Sequence, residues 1–537
     1  MRNALLSVGM SLVSLVGGGY ASATDVPTIE AASFLDMEKA DCGIQKGIDD
    51  AAARGGGVVV LPPGTFRLRR GLVLRDNVIL AGAGIEKTIL MPERQVRRLD
   101  VAADGPDENQ VALNEIPRDL AVGSAVVSCR SYPPSWYGSP RPAVVTAVDR
   151  VSKTVTLDAP YGLNKMTVGK GYLTTGVAAS LAQDVHKGDM EITLRNAGLF
   201  RPGDELALGE PPNESLLAHA FVTEVRGNTL VLEQPAQVDF ECWTDKEKIG
   251  NKKVNALVWA LFPLVHAANV KDCAVRNLTI CGHDMSNVRP TQTRYTLAGI
   301  HIFNGTRVTI ERVAVRDWPS DGISLQTGSH CRVADCEISG CLGNGMHPGT
   351  GLTDSVFERN TSSENGAGLY FCWHNRRHRL IENQFVKNRG GGITGLGNPG
   401  DRDNIIEDNY IAENGGAGIE INGGGKSGNV IRGNVIENNS QDNPGKHPGI
   451  AIYASVEDAR EYTVARNTIR DNQDAPTQFV GIEERNGERR GKRTFADENR
   501  IEGNSLSGHK VADIALHGKN TKCERNGDAL VKRHGTE

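Results

Sequence analysis

The sequence predicts an all-β protein: a right-handed parallel β-helix solenoid with an N-terminal capping helix and an inserted small β-domain. A motif close to Gly-Ile-x-Ile recurs eight times, at a spacing that rises from 23 to 32 residues, as in a coil of three short strands. Asparagines recur at fixed positions of the same repeat. The 537 residues include 62 glycines and only 5% aromatic residues, which favours many tight turns over one thick core.

The repeat extends from about residue 254 to residue 525. The second residue of the motif is apolar in every coil, so we expect it to face inward, and because strand side chains alternate the third residue should face outward. The motifs begin at Gly299, Gly322, Gly345, Gly368, Gly392, Gly418, Gly449 and Gly481. A leucine-rich repeat has a similar period, but its Leu-x-x-Leu-x-Leu frame is absent.

Two sets of asparagines support the same coil. Equal positions lie above one another in stacked coils, so the amides are expected to form hydrogen-bonded ladders at the turns. The first set is Asn360, Asn383, Asn409, Asn434, Asn467 and Asn504, and the second is Asn365, Asn388, Asn414, Asn438 and Asn472.

Four segments follow from these patterns. Residues 1–23 are predicted to be a signal peptide, because Arg2 precedes a short apolar stretch and Ala21-Ser22-Ala23 has the form of a cleavage site. We therefore expect a secreted or periplasmic protein. Residues 24–91 should form the N-terminal cap and first coils, residues 92–252 an inserted β-domain with two similar halves, and residues 253–537 the main parallel β-helix and C-terminal end.

The N-terminal region carries a resemblance to a known superfamily. A helical pattern over residues 42–54 is stopped by Gly55-Gly56-Gly57 and followed by short apolar strands, Pro63-Gly64-Thr65-Phe66 and Gly82-Ala83-Gly84. This order closely resembles the N-terminal cap of the pectate-lyase-like superfamily, which phage tailspikes share. The resemblance implies a helix that covers the open end of the first coil.

Charge and cysteine content exclude several classes of protein. The formal net charge is only −5, and no basic run suggests a nucleic acid partner. Beyond the N-terminus, no apolar segment reaches the length of a membrane span. None of the ten cysteines has a zinc-binding spacing. Cys273, Cys331 and Cys336 fall at apolar repeat positions, so we interpret them as core residues.

The candidate site lies where the repeat breaks its own pattern. The inward fourth position is occupied by Pro348 in one coil and by Gly395 two coils later, and such breaks tend to mark functional places. Both adjoin His347 and Tyr370, which belong to the outward column of neighbouring coils about 4.8 Å apart. A cluster of polar and aromatic side chains, residues 373–378, follows Tyr370 directly.

These residue types suit β-elimination on a uronic acid polymer, which needs a base, an acid and a cation that neutralises the carboxylate. We predict His347 as the base, Tyr370 as the acid or base, and Arg376 or Arg377 as the cation. The side chains predicted to bind substrate are His301, Gln326, Trp373, His374, Glu420 and Asn422.

Hydrolysis is the alternative chemistry. A glycoside hydrolase needs two carboxylates about 5 to 9.5 Å apart. Glu420 and Asp321 are four coils apart, about 19 Å, which is too far. Glu420 and Glu483 are two coils apart with Ala451 between them, about 9.6 Å, at the edge of the range.

The repeat region resembles the β-helices that bind and cleave carbohydrates, among them polysaccharide lyases, polygalacturonases and mannuronan epimerases. The polygalacturonase motifs and the epimerase Asp-Pro-His motif are absent, so the resemblance implies an architecture and a substrate class. The expectation is a secreted lyase on a uronate polysaccharide, with a hydrolase, a C5-epimerase or a non-catalytic glycan-binding protein as alternatives. No cofactor is required and no metal site is predicted, although Asp401 and Asp403 leave calcium open.

Overall fold

The computed structural model describes residues 27–93, 97–105, 107, 109–129, 141–158, 172–176, 178–210, 213–240, 257–260, 262–282 and 295–534. The predicted signal peptide lies outside these residues. The described chain is a parallel β-helix whose coils contribute strands to three ladders of parallel strands. Within the described residues, no helix is both long and apolar enough to cross a membrane.

The first ladder carries the candidate site and is called the site ladder. Its strands pair in parallel from coil to coil. They are Leu72–Val73, Val265–Ala268, Ile300–Thr306, Ile323–Ser329, Asn344–Pro348, Ala367–Tyr370, Ile393–Leu396, Ile419–Ile421, Ile450–Tyr453, Val480–Arg485, Ala512–Leu516 and Val531–Arg533.

The other two ladders are joined into one sheet, because the long strands Ala274–Cys281 and Thr309–Arg316 take part in both. The second ladder further contains Thr28–Glu30, Gly57–Val60, Val78–Ala81, Arg332–Ala334, Val356–Glu358, Arg379–Ile381, Ile405–Glu407, Val430–Arg432, Thr463–Ala465, Arg500–Glu502 and Lys522–Glu524. The third contains Gly64–Leu68, Thr88–Pro92, Glu337–Ser339, Thr361–Ser363, Gln384–Val386, Tyr410–Ala412, Val435–Glu437, Thr468–Arg470 and Ser505–Ser507.

The helix Ile44–Ala53 packs on the first strands, as the sequence pattern predicts. Its residues Ile44, Ile48 and Ala51 are fully buried and belong to the main core. The helix ends at Ala53 and is followed, after Arg54, by Gly55 and Gly56, both of which have positive φ. It thereby shields apolar side chains of the first coil from solvent.

The segment between the early coils is antiparallel. A closed six-stranded barrel is formed by Arg97–Asp104, Gln110–Leu113, Ala125–Cys129, Arg141–Asp149, Thr154–Leu157 and Tyr172–Thr175. A second six-stranded sheet, called the inserted sheet, is formed by Ala178–Ser180, Glu191–Thr193, Glu205–Glu210, Asn213–Arg226, Thr229–Leu232 and Leu257–Trp259. Each unit has a hydrophobic cluster of its own, while Val127 and Tyr172 of the barrel and Ala178 and Ala207 of the inserted sheet belong to the main core.

Smaller elements complete the described fold. They are the 3-10 helices Ala31–Ser33 and Tyr295–Leu297, the short parallel strands Gly425–Lys426, Ala459–Arg460 and Ala496–Asp497, and the hairpin Gly487–Arg489 with Lys492–Thr494.

The second position of the repeat faces inward, as predicted. Its residues are at most 1% exposed: Ile300, Ile323, Met346, Leu369, Ile393, Ile419, Ile450 and Ile482. Burying each such side chain stabilises the fold by about 1.5–3 kcal/mol. The repeat is therefore an apolar stack along the inside of the solenoid. Cys273, Cys331 and Cys336 are buried, in agreement with their predicted place in the core.

Gly395 differs from the prediction. It has a φ of +74°, and the register between the strands of Ile393 and Ile419 shifts by one residue so that Leu396 pairs with Ile421. Leu396 is fully buried and therefore fills the inward position that the repeat assigns to Gly395. The missing side chain at Gly395 marks a bulge in the strand rather than a gap in the core.

The asparagine ladders are present with one correction. The first runs from Asn360 through Asn383, Asn409, Asn434 and Asn467 to Asn504, each amide oxygen accepting from the coil before, and continues to Asn526. The second continues from Asn414 to Asn439 and Gln478, not to Asn438. Asn438 bonds Asn472 at the surface instead. The adjacent asparagines in the sequence 438–439 obscured which of them points inward.

Replacing Asn409 by alanine is expected to lower the free energy of unfolding by about 1–3 kcal/mol. Its amide nitrogen donates to Leu380 O and Asn434 Oδ1, and its amide oxygen accepts from Asn383. These groups are buried, and in the variant the backbone N–H of Asn383 loses its acceptor. Urea unfolding measures the change. The exposed Asn472→Ala is the control, and an equal loss in both variants would contradict a special role for the buried ladder.

Candidate active site

An outward column of side chains runs along the site ladder at the third position of the repeat. Parallel pairing aligns its members coil by coil. They are His266, His301, Ser324, His347, Tyr370 and Thr394. The sequence predicts that His347 and Tyr370 are near neighbours, and their ring centroids are 5.2 Å apart at an interplanar angle of 83°.

His347 is held by a buried carboxylate. Its Nδ1 lies 2.7 Å from Oδ2 of Asp321, which is 1% exposed. The other oxygen of Asp321 accepts hydrogen bonds from the backbone N–H of Asn344 at 2.7 Å and from its side-chain amide at 3.1 Å. Because Nδ1–H of His347 donates its hydrogen bond to Asp321, Nε2 is the nitrogen of His347 left to exchange protons.

The pair sets the protonation state of His347. Burial alone lowers the pKa of this imidazole, but the hydrogen bond and charge of Asp321, together with Cys372, outweigh it and raise the pKa to about 9. His347 is therefore mostly an imidazolium at neutral pH and becomes a base in alkaline solution. Its Nε2 is buried and has no well-aligned hydrogen-bond partner among the described residues, although the Cys372 thiol interacts with the ring.

Two tyrosines border His347. The ring of Tyr295 meets the His347 ring edge-on, with ring centroids 5.8 Å apart, and its centroid lies 6.2 Å from that of His301. Burial raises the pKa of Tyr370 to about 12, so this phenol holds its proton at neutral pH. The amide of Asn398 approaches the Tyr370 hydroxyl at 3.4 Å. A Cβ at Gly395 would come within 2.6 Å of the Tyr370 ring, so the bulge glycine leaves room for this ring position.

Cys372 is a neighbour that the sequence pattern does not single out. Its Sγ lies 3.1 Å from the hydroxyl of Thr350. Burial alone raises the pKa of this thiol, but His347 and Thr350 lower it below the ordinary value. Cys372 thus adds a polarisable thiol next to the imidazole, and the imidazole favours its ionised form.

The two predicted arginines occupy different places. Arg376 is partly buried and its Nε donates to Gly400 O at 3.2 Å. Arg377 has a φ of 57° at a corner of the coil and pairs with both carboxylate oxygens of Asp354 at 2.6 and 2.7 Å. The charge of the Arg377 guanidinium is therefore already neutralised by Asp354. Arg376 is the arginine of the two whose guanidinium is better placed to bind a substrate carboxylate.

The predicted substrate-binding side chains also differ in setting. Gln326 is buried, donates to Ser324 Oγ at 2.9 Å and accepts from Thr350 N at 3.2 Å. Trp373 is 50% exposed and His374 is exposed beside Gly400, so both present surface to a ligand. His301 belongs to the outward column two coils before His347.

Glu420 and Asn422 lie farther along the ladder. Burial raises the pKa of Glu420, and the register places Ala451 and then Glu483 after it in the same column. Glu483 accepts hydrogen bonds from Tyr453 and Arg485. Asn422 donates its backbone N–H to Leu396 O and accepts from Ser455, so it also holds the turn that follows its strand. The column order matches the spacing on which the hydrolase alternative rests.

Acidic side chains near the site are the candidates for binding a metal ion. Among the residues described, no three His, Cys, Asp or Glu side chains come together as a metal site. Asp401 accepts backbone N–H groups of Asn375 and Asn398 at 2.7 and 3.0 Å, so this carboxylate supports a turn. Burial raises the pKa of Asp401 to about 8. Calcium at Asp401 and Asp403 stays a prediction.

Asp321 is the site residue that the sequence reasoning missed as a partner of His347. A signal for it exists in the position before the repeat glycine. The other coils have small, apolar or amide residues there: Ala298, Asn344, Ala367, Gly391, Ala417, Pro448 and Val480. Asp321 is the only acid in that column, which marks it as unusual in a place that becomes buried.

Comparison with known proteins agrees with the coil architecture. Residues 298–469 match the family model described as a right-handed β-helix region. A stretch of 54 residues, 9% of this chain, is 50% identical to the mannuronan C5-epimerase AlgE6 of Azotobacter vinelandii and spans only 6% of that protein.

Two solved structures illustrate the likeness. The A-module of the mannuronan C-5 epimerase AlgE4 of Azotobacter vinelandii is 16% identical, with 92% of this chain and 99% of that chain covered and a TM-score of 0.46. The exopolygalacturonase of Thermotoga maritima is 11% identical, with 94% of each chain covered and a TM-score of 0.43. By its strand topology and its family match, the protein is a right-handed parallel β-helix.

Proposed function

We propose that this protein acts on a polysaccharide that contains uronic acid residues and that its chemistry begins with removal of the proton at C5. The observation that carries the proposal is the Asp321–His347–Tyr370 arrangement, in which a carboxylate-held imidazole and a protonated phenol meet on one outer face of the solenoid. General acid–base chemistry at a carbon beside a carboxylate needs such a pair.

The proposed reaction is β-elimination. Neutral His347 accepts the C5 proton through Nε2, and the electron pair of the broken C–H bond forms the C4–C5 double bond as the C4–O4 bond breaks. Tyr370 gives its phenolic proton to the leaving O4 and is reprotonated from solvent. Arg376 is the proposed partner of the uronate carboxylate, whose negative charge grows as the proton leaves.

The one-sided arrangement favours elimination. His347 and Tyr370 come from adjacent coils of the same ladder, so a sugar resting on this face meets both groups from the same side. Elimination with the proton and leaving oxygen on one side of the ring suits that placement. Epimerisation at C5 requires a proton to arrive from the opposite side.

C5-epimerisation is the second candidate, and the short 50% identical match to a mannuronan C5-epimerase is what favours it. It shares the first step, since the same C5 proton is removed before the paths diverge. Export is part of the proposal as well, because an extended polymer is met outside the cytoplasm and the N-terminal sequence has the form of a signal peptide.

We expect incubation with a panel of uronate polysaccharides to produce an absorbance increase near the ultraviolet band of the unsaturated product. Reducing ends should form in equal amount, because each elimination cleaves one linkage. Proton exchange at C5 in deuterated water without new reducing ends would indicate that the protein is an epimerase and not a lyase. Reducing ends without an absorbance increase would indicate hydrolysis and contradict the proposal. No signal in the absorbance, reducing-end and proton-exchange assays, together with binding of the polysaccharide, would indicate a glycan-binding protein.

A further inference from the structure

Unpaired buried nitrogens concentrate along one line of the molecule. Five buried side-chain atoms lack a hydrogen-bond partner among the described residues: Arg70 Nε, His266 Nε2, His301 Nδ1, His347 Nε2 and Asn429 Nδ2. Three of the five belong to the outward column of the site ladder. Arg70 lies two residues before the strand Leu72–Val73, which pairs with the strand of His266.

Leaving one buried polar group unpaired costs about 1–3 kcal/mol. Such groups are rare in native proteins, so three of them in one column, with Arg70 near its start, require an explanation. A ligand with many oxygen atoms, laid along the column, would give each nitrogen a partner.

The inserted sheet covers the start of this row. Glu205 is fully buried and its Oε2 accepts the backbone N–H of Gly71 at 2.7 Å. Its Oε1 lies 2.8 Å from Nδ1 of His219 and 3.7 Å from Nε2 of His266, which is too long for a hydrogen bond. The His219 ring stacks on His266 with centroids 5.7 Å apart. Phe221 lies under the guanidinium of Arg70 at 3.9 Å. The insertion therefore shapes the outer face of the first coils.

We propose that Arg70, His266 and His301, together with His219 of the inserted sheet, form a binding subsite for a uronate-containing oligosaccharide on the same track as His347. The identity of the sugar rests on the proposed function, whereas the subsite rests on the row of unpaired nitrogens. His301 is two coils from His347 and His266 is three, about 9.6 and 14 Å at the spacing of parallel strands. Only an oligomer long enough to cover that span occupies both places.

The chemistry of the row matches such a ligand. Burial lowers the pKa of His266 and lowers that of His301 to about 3, which favours the neutral form of both imidazoles, and each has one ring nitrogen without a hydrogen-bond partner among the described residues that can bond a sugar hydroxyl. Arg70 keeps its charge and suits a carboxylate. One terminal nitrogen of Arg70 is 3.5 Å from the half-exposed Glu233, an ion pair that a buried uronate carboxylate would replace.

Titration calorimetry with uronate oligosaccharides of increasing length tests the subsite in the full-length protein. We expect His266→Ala and His219→Ala to weaken binding of the long oligomers by at least about tenfold and to leave the disaccharide unaffected. The matched control is His186→Ala, on the inserted segment, whose side chain is 72% exposed. Melting curves identify any variant that fails to fold, and Arg70→Gln is the third variant because it removes the positive charge but keeps a side chain that can form hydrogen bonds.

Equal affinity of the folded variants and the wild type for long oligomers would overturn the subsite, even if the enzyme proves to be a lyase. If the variants lose the tighter binding of long oligomers but the wild type turns over no uronate polymer, the subsite is supported and the proposed function is refuted. The two proposals thus fail separately.

Discussion

Replacing His347 by glutamine is expected to reduce turnover of the uronate polymer by about 10²–10⁴-fold, the usual contribution of a general acid or base. The glutamine amide can still donate to Asp321, so the buried carboxylate keeps a partner, but the side chain no longer accepts a proton. The rate is followed by the ultraviolet absorbance of the unsaturated product, with the melting temperature measured for each variant.

Two further variants sharpen this result. His347→Ala should lose activity to the same extent and also lose stability, because Asp321 is 1% exposed and would lack its imidazole partner. His330→Gln alters an exposed histidine of the preceding coil and should behave as the wild type. Full activity in a folded His347→Gln protein would exclude the surface around His347 and Tyr370 as the catalytic site.

Features that depend on the repeat could be predicted from the sequence. The spacing of the glycines predicted the coil, and alternation along each strand separated the buried Ile393 from the partly exposed Thr394. Stacking then placed His347 beside Tyr370, which the structure shows at 5.2 Å between ring centroids. These inferences hold because equal positions in a solenoid become spatial neighbours.

Features that depend on departures from the repeat could not be predicted. The bulge at Gly395 shifts the register by one residue, and a count of positions does not reveal where a strand adds a residue. The neutralisation of Arg377 by Asp354 arises at a corner where the chain changes direction. The repeat predicts which way strand side chains face, but it gives no information about side chains at the corners of the coil.

Contacts between the inserted segment and the solenoid could not be predicted from the sequence either. The bond from Gly71 N to Glu205 joins residues 134 positions apart in unrelated patterns. His266 belongs to the column of His347, yet its place beside His219 follows only from how the inserted sheet packs. A buried carboxylate at Glu205 and the unpaired nitrogens nearby become visible only in three dimensions.

Replacing Asp321 by asparagine is expected to move the pH dependence of catalysis. In the wild type His347 must lose its proton to act as the base, so kcat/KM should rise with pH through about 9 and fall only as Tyr370 deprotonates near 12. Without the carboxylate, burial dominates and lowers the pKa of His347, so the rising limb should move to lower pH. The plateau should also fall, by up to about 10⁴-fold, because nothing then fixes the tautomer.

Stability offers an independent check on the same pair. The pKa of His347 is raised in the folded state above its ordinary value of about 6.5, so the pair stabilises the wild type fully below that pH and loses this contribution as the pH rises through about 9. The melting temperature of the wild type should decline over this interval, and Asp321→Asn should lack that decline. If instead the wild-type rate is highest near neutral pH and falls through 9 while stability falls as predicted, His347 acts as the imidazolium that neutralises the uronate carboxylate, and the base must be another group on the same face.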